Sequence, residues 1–238
     1  MKLGLFLFAP IFVLMVSCNG TTPEENSDKN HQDTMALNIV DTVVNEPATF
    51  PAFLNLEDYA SITNKTELYS LFGEENIVED TAWYAEGTLM LMTSILSDPT
   101  NGYIIRYIWQ EEQPTQLEMV EAYYQIYDKN YNVTGKQSVP SKSGLYTGMS
   151  LLDLEKWNGA PFKFSGFGWD YGGSIFVESG SKLDSYDLGI TLDFDYEAAY
   201  EGMDELYGDI ELTSNAPTLK GAPIFINYLN FYPASNRE

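Results

Sequence analysis

Few side chains in this chain of 238 residues suit nucleophilic, metal or redox chemistry, because it has one cysteine, Cys18, and one histidine, His31. His31 lies in residues 19–34, a polar stretch that cannot bury enough apolar surface to order itself. A Ser-His-Asp or Cys-His triad needs an imidazole beside its nucleophile, and catalytic zinc usually has a histidine ligand. The sequence therefore argues against most such enzymes and leaves carboxylates, Tyr, Lys and Ser for catalysis.

Carboxylates are abundant, and the densest group lies in "DFDYEAAYEGMDELYGD", residues 193–209. These acids lack the spacing and central glycine of an EF-hand loop, so calcium is kept only as an alternative ligand and no cofactor is expected. Two carboxylates could form a glycosidase pair, but a chain with 35 acidic residues contains candidate pairs anyway. We therefore assign no catalytic residue and no metal-binding residue.

The segment "GFGWDYGG", residues 166–173, alternates aromatic rings with glycine or aspartate. If its backbone is extended, the rings of Phe167, Trp169 and Tyr171 share one face. Such rings suit stacking on sugars or holding a partner's side chains, since Trp and Tyr are enriched at interfaces. The alternative is that the rings form the core face of a sheet while Asp170 fixes a turn. The candidate binding surface is therefore Phe167, Trp169, Asp170 and Tyr171.

The formal net charge is −23, from 35 acidic and 12 basic residues. A surface this acidic repels nucleic-acid phosphates and anionic lipid headgroups, so we expect no nucleic-acid partner. The same charge would speed association with a cationic protein. The alternative is that it serves only solubility.

Two short helices are expected to position these side chains, one over residues 64–73 and one over residues 150–159. Each begins with an N-cap type residue, Asn64 or Ser150, and has an acid three positions later, a pattern that resembles a capping box. Each ends at a glycine, which suits the left-handed residue after a helix. Helices of this length are stable only when they pack on another element.

Runs rich in β-forming residues follow each helix, and the clearest is "DLGITLDFD", residues 187–195. Apolar side chains alternate there with Gly189, Thr191 and Asp193, as in an antiparallel strand with one wet face. These patterns predict an α+β fold of two helix-then-antiparallel-sheet repeats, with short helices packed on one side of the sheet. The first repeat is assigned to residues 48–140 and the second to residues 141–238.

The N-terminus has the features of an export signal. Residues 3–16 are uncharged and mostly apolar, and the run is too short for a membrane-spanning helix, which needs about 20 residues. It ends in "MVSC", residues 15–18, which resembles the bacterial lipobox. The resemblance implies that residues 1–17 are a lipoprotein signal peptide and that Cys18 carries the lipid that attaches the protein to the membrane. Residues 18–47 would then be a flexible polar tether.

An ordinary secretory signal that happens to end near a cysteine is the alternative. Against it, Cys18 is the only cysteine and has no disulfide partner within the chain. Asn19 follows it, in place of the Asp that resembles an inner-membrane retention signal. The expected location is therefore the cell envelope, as an outer-membrane lipoprotein that faces the periplasm or the cell surface.

The stretch "GMSLLDLEKWNGAPFKFSGFGWDYGG", residues 148–173, is similar to a group of uncharacterised lipoproteins of Bacteroidetes-type bacteria. More broadly, its Gly-Met-Ser start, short helix and Gly-x-Pro resemble the helix-then-sheet repeat of beta-lactamase inhibitory proteins and small outer-membrane assembly lipoproteins. The broader resemblance implies protein binding rather than catalysis, by analogy of fold.

These observations favour a lipid-anchored envelope protein that is a non-enzymatic protein-binding module. A glycan-binding or glycan-processing surface lipoprotein is the second hypothesis, because aromatic rings and carboxylates also suit sugars. A purely structural envelope component is the third.

Overall fold

The computed structural model of the protein describes residues 50–84, 87–198 and 200–233. The chain from Pro47 to Glu238 forms one compact unit. The predicted signal peptide, Cys18, His31 and the tether lie outside the described residues. Within the described ranges, no helix is both long and apolar enough to cross a membrane.

A six-stranded antiparallel sheet forms the centre of this unit. In spatial order its strands are β1 (Ile77–Tyr84), β2 (Leu89–Ser97), β3 (Ile104–Trp109), β4 (Leu117–Tyr123), β11 (Ile224–Phe231) and β9 (Leu188–Phe194). The strand predicted over residues 187–195 is β9, and it lies at one edge of the sheet.

Shorter strands form two smaller sheets. One is the pair β5 (Gln125–Tyr127) and β6 (Val133–Lys136), and the other has the order β10 (Glu211–Thr213), β7 (Lys163–Ser165), β8 (Ile175–Phe176). Among the residues that the structure describes, 3-10 helices lie at Glu74–Asn76, Leu183–Ser185, Met203–Leu206 and Pro217–Leu219.

In the described part of the chain, three short α-helices accompany the large sheet: α1 (Leu56–Tyr59), α2 (Lys65–Phe72) and α3 (Leu151–Asn158). Both predicted helices are present with their predicted caps. The Asn64 side chain accepts from the amide of Glu67 at 2.9 Å, and the Ser150 hydroxyl accepts from the amide of Asp153 at 3.1 Å. These side chains satisfy amides that would otherwise lack a partner at the helix N-termini.

One face of the large sheet carries the hydrophobic core. Because direct cross-strand partners share a face, Leu96, Ile105, Ala122 and Leu229 form one continuous apolar row across β2, β3, β4 and β11. All four are completely buried, in one cluster with residues from all three helices. The burial of this row explains why helices of only four to eight residues persist.

The opposite face, which we call the open face, carries the residues that alternate with that row. It presents Arg106, Glu121, Tyr123 and Tyr228 on β3, β4 and β11, and Asp193 on the edge strand β9. Glu121 is nevertheless only 2% exposed. Its carboxylate accepts hydrogen bonds from the hydroxyls of Tyr84 at 3.1 Å and Tyr123 at 2.9 Å, and burial raises its pKa.

The structure has an antiparallel sheet with a few short helices, as expected for the α+β class. The finer prediction of two helix-then-sheet repeats is not confirmed. Strand β11 from the second half pairs with β4 from the first, and β9 adds to β11, so both halves contribute to one sheet. The remaining strands of the second half, β7, β8 and β10, form a separate small sheet.

Candidate binding site

The segment predicted to carry the binding surface is not extended. Gly168 has φ of 82°, and residues 168–173 form turns closed by hydrogen bonds such as that from the Gly172 amide to the Trp169 carbonyl at 2.9 Å. The three rings therefore do not share one strand face. We call residues 168–173 the aromatic turn.

Gly173 fixes the aromatic turn against β9. Its carbonyl accepts from the amide of Leu192 at 2.9 Å, and its φ is 74°, in the left-handed region. A Cβ at this position would lie 1.9 Å from the Leu192 carbonyl oxygen, closer than any van der Waals contact. Only glycine allows this approach of two backbones.

The predicted surface residues are divided between core and solvent. Phe167 is 2% exposed, and its ring centroid lies 5.1 Å from that of Phe194. Trp169 is half-buried, and its indole N–H donates to the Gly166 carbonyl at 2.8 Å. Asp170 is exposed, and Tyr171 meets the Trp169 ring edge-on at 5.4 Å. For Phe167 the structure therefore favours the core role that sequence analysis left open.

Trp169 and Asp170 line a cavity of about 490 Å³ at the junction of the aromatic turn and the open face. We call it the Trp169 pocket. Its other lining residues include three tyrosines and three polar residues, namely Tyr123, Thr191, Asp193, Tyr196, Asn227 and Tyr228. The rings of Tyr123 and Tyr228 lie 5.2 Å apart on neighbouring strands.

Asp193 is the most desolvated carboxylate of the pocket. Its oxygens accept from the Phe194 amide at 2.8 Å and from the side-chain amide of Asn227 at 3.3 Å. Burial raises the pKa of Asp193, and this effect exceeds the lowering by the Phe194 amide and the Tyr196 hydroxyl. A carboxylate in this state gains most from a cation, because none of its present partners carries positive charge.

Asn227 is placed at the pocket by an irregularity in β11. Ile226 pairs with Leu192 and Tyr228 with Thr191, so Asn227 is an extra residue with no partner on β9. Such a bulge redirects a side chain. The Asn227 side-chain oxygen is buried, and no described group donates to it. This oxygen is therefore an unpaired acceptor inside the fold, whereas the amide nitrogen of the same side chain faces Asp193.

The described charged residues that line the Trp169 pocket are all acidic. Among the described residues that line it, there are two carboxylates and no lysine or arginine. The surrounding sequence, residues 170–211, contains twelve Asp or Glu and one basic residue, Lys182. The pocket therefore offers hydrogen-bond acceptors, negative charge and aromatic walls, which suit a ligand that is positively charged and rich in donors.

Sequence analysis identified Trp169 and Asp170 and placed Asp193 on a wet strand face, but it did not single out Tyr123, Tyr196, Asn227 or Tyr228. The alternation of β9 was the one local signal that favoured exposure of Asp193. No group of three or more His, Cys, Asp or Glu residues in the described parts of the chain is arranged to hold a metal ion.

Comparison with known proteins adds no family: no protein-family model, curated protein or solved structure matches this chain.

Proposed function

We propose that the protein is a lipid-anchored component of the bacterial outer membrane that binds a cationic protein without catalysis. The observation that carries the proposal is the Trp169 pocket, which combines aromatic rings with the carboxylates of Asp170 and Asp193 and has no basic residue among its described lining. The anchor would be Cys18. We also propose that the two halves of the chain derive from a helix-then-sheet repeat of the kind its sequence resembles.

The size of the surface supports a protein as the partner. Tyr196 separates the Trp169 pocket from a second cavity of about 460 Å³, which is lined by Tyr127 and Tyr131. Tyr131 is 88% exposed and has φ of 62° at the turn between β5 and β6. The Tyr131 ring and the two cavities together give a surface with several aromatic contacts, which suits a protein partner.

Electrostatics support a cationic partner. Residues 50–233 contain 28 acidic and nine basic residues, and five of these bases are in ion pairs, so most of the acids have no basic partner. The resulting field steers a basic protein toward the surface and repels nucleic acid. Because exposed charges are screened within about 8 Å at physiological salt, capture should weaken as salt rises.

The test is capture from native envelope and extracellular extracts by full-length protein in detergent. We expect a basic protein to be retained, to be released by high salt and to be lost with Asp193→Asn. The matched control is Asp80→Asn, which removes the same charge from an exposed site on β1, at the other edge of the sheet. Retention of no protein, or equal retention by both variants, would contradict the proposal.

The anchor is tested separately. Cells that express the full-length chain and are grown with a fatty acid bearing an alkyne should label the protein, and Cys18→Ser should abolish both the label and membrane attachment. A labelled Cys18→Ser variant would rule out lipidation at this residue.

A glycan-binding or glycan-processing role is the second candidate, because Trp169 and two carboxylates line one cavity. Rings and carboxylates in one site also suit sugars, and a carboxyl group with a raised pKa suits general acid catalysis. Binding or cleavage of neutral oligosaccharides that is lost with Trp169→Ala would favour this role over protein binding.

A further inference from the structure

The groups of the Trp169 pocket that could form further hydrogen bonds are acceptors. Asp193 has neutral donors as its partners, and the neighbouring Asn227 oxygen has no donor among the described groups. The two side chains are in contact, since the Asn227 amide nitrogen lies 3.3 Å from an Asp193 oxygen. The Asp193 carboxylate has two oxygens, so it can pair with a cation that carries at least two donors.

The chain itself supplies no such ligand in the part that the structure describes. Arg106 lies beside the pocket, but its guanidinium carbon is 5.3 Å above the Tyr123 ring, and Arg106 lines a different cavity. Lys136 is 3.6 Å from Asp195. Neither of these two cations lines the pocket.

The aromatic walls of the Trp169 pocket favour an arginine side chain over a lysine side chain. The pocket is lined by the rings of Trp169, Tyr196 and Tyr228. A guanidinium group is planar, stacks on such rings and presents donors as a fork, whereas an ammonium group is a compact and strongly hydrated point charge. An arginine side chain can therefore pair with the Asp193 carboxylate and contact a ring at the same time.

We propose that the Trp169 pocket receives one arginine side chain of the partner protein, with its guanidinium between Asp193 and the aromatic walls. This inference rests on the proposed function and specifies the group that the site recognises.

The test is an NMR titration of the full-length protein in detergent with three pentapeptides, each with one central residue flanked by glycines and with both ends blocked. The central residue is arginine, lysine or citrulline, the last being a neutral analogue of arginine with nearly the same shape. The reporter is the indole N–H of Trp169, assigned by Trp169→Phe. Trp83, which is 63% exposed on β1 at the other edge of the sheet, serves as the internal control.

We expect the arginine peptide to shift the Trp169 signal and leave Trp83 unchanged. The expected order of affinity is arginine, lysine, citrulline, with at least a tenfold difference between the first and the last. Asp193→Asn should remove the preference for arginine over citrulline, and Asp80→Asn should keep it. The peptide series is measured on the unaltered protein, so the test holds even if Asp193→Asn fails to fold.

Equal binding of the three peptides, or a shift at Trp83 alone, would overturn the inference. If a basic protein is still captured in an Asp193-dependent manner while no arginine peptide binds, the proposed function survives and the single-arginine site is wrong. If neither the peptides nor a basic protein binds, both fail.

Discussion

Two tryptophans of this protein lie in similar surroundings and differ in one respect. Trp157 on α3 has Lys182 above its ring at 4.0 Å, and the same lysine donates to the Trp157 carbonyl at 2.9 Å. Trp169 on the aromatic turn has a neighbouring tyrosine at 5.4 Å, as Trp157 does, but none of the described cations lies over it. Both indole N–H groups donate to backbone carbonyls.

The presence of a cation over Trp157 and the absence of a described one over Trp169 distinguish a contact made within the fold from a site that a partner could complete. At Trp157 the chain supplies the cation, so the interaction stabilises the folded state. At Trp169 the chain supplies rings and carboxylates, and no described lysine or arginine lines the pocket. The first site should therefore contribute to stability and the second to binding, which is the contrast that the following predictions test.

The largest effect is expected from Gly173→Ala. The added methyl group would meet the Leu192 carbonyl, so the aromatic turn must leave β9, at a cost of about 3 kcal/mol and a loss of about 6–12 °C in Tm. Gly180→Ala is the matched control, because Gly180 has φ of 80° with no atom within 4 Å of the added carbon. Its cost should be about 1 kcal/mol. Thermal unfolding measures both, and equal shifts would mean that the turn is not fixed by this contact.

The two tryptophans should respond in opposite ways to truncation. Trp169→Ala should weaken capture of a cationic partner roughly 10- to 30-fold, about 1.4–2 kcal/mol, because a wall of the pocket is lost. Trp157→Ala should leave capture unchanged and lower Tm, because α3 loses a core contact. Affinity and Tm of both variants check the prediction, and a Trp169→Ala variant that loses stability but keeps its affinity would make Trp169 structural.

Acidification should weaken binding at the Trp169 pocket through Asp193. Burial raises the pKa of Asp193 in the free protein, and a bound cation lowers it, so the free protein holds more protons. Affinity should therefore rise with pH through the raised pKa and become constant above it. The groups that face Asp193 are Asn227, Tyr127 and Tyr196, and the pKa values of both tyrosines are raised, so they stay neutral.

Isothermal titration of the arginine pentapeptide into unaltered protein and into Asp193→Asn, between pH 7 and about pH 4, isolates this effect. Other acids protonate in both proteins, so their contribution is the same in the two series. The difference between the two curves should grow as pH rises. Parallel curves would assign the pH dependence to other carboxylates.

The smallest effect is expected from Lys182→Met, which keeps the length of the side chain and removes its charge. Loss of the cation from the Trp157 ring and carbonyl should cost about 0.5–1 kcal/mol of stability and leave partner binding unchanged. Chemical unfolding detects the change in stability. A clear change in affinity instead would show that Lys182 takes part in binding and that the two sites are not separate.

Local sequence patterns were sufficient to predict features that depend only on residues within one helix or strand. The caps of α2 and α3 formed as predicted, because Asn64 and Ser150 bind amides only three residues away. The alternation along β9 placed Asp193 on the face opposite the core, as a strand period of two requires. Local patterns left two interpretations of residues 166–173 open, an extended strand and a turn at Asp170, because both accommodate the glycines.

The candidate site depended on contacts that no local pattern contains. Tyr123 and Tyr228 meet because β11 pairs with β4 across about a hundred residues of sequence, and the bulge that redirects Asn227 exists only in the pairing with β9. Nothing in the sequence around Phe167 distinguishes it from Trp169, yet one is in the core and the other lines a cavity.

The sequence by itself therefore determined the acidity of the chain, the short capped helices and the alternating strands, because these depend on composition and on neighbours within a few residues. Tertiary structure decided which rings are buried, which carboxylate is desolvated and which acceptors share one pocket. Burial and close approach depend on the pairing of distant strands, and those two quantities set the strength of charge and hydrogen-bond interactions.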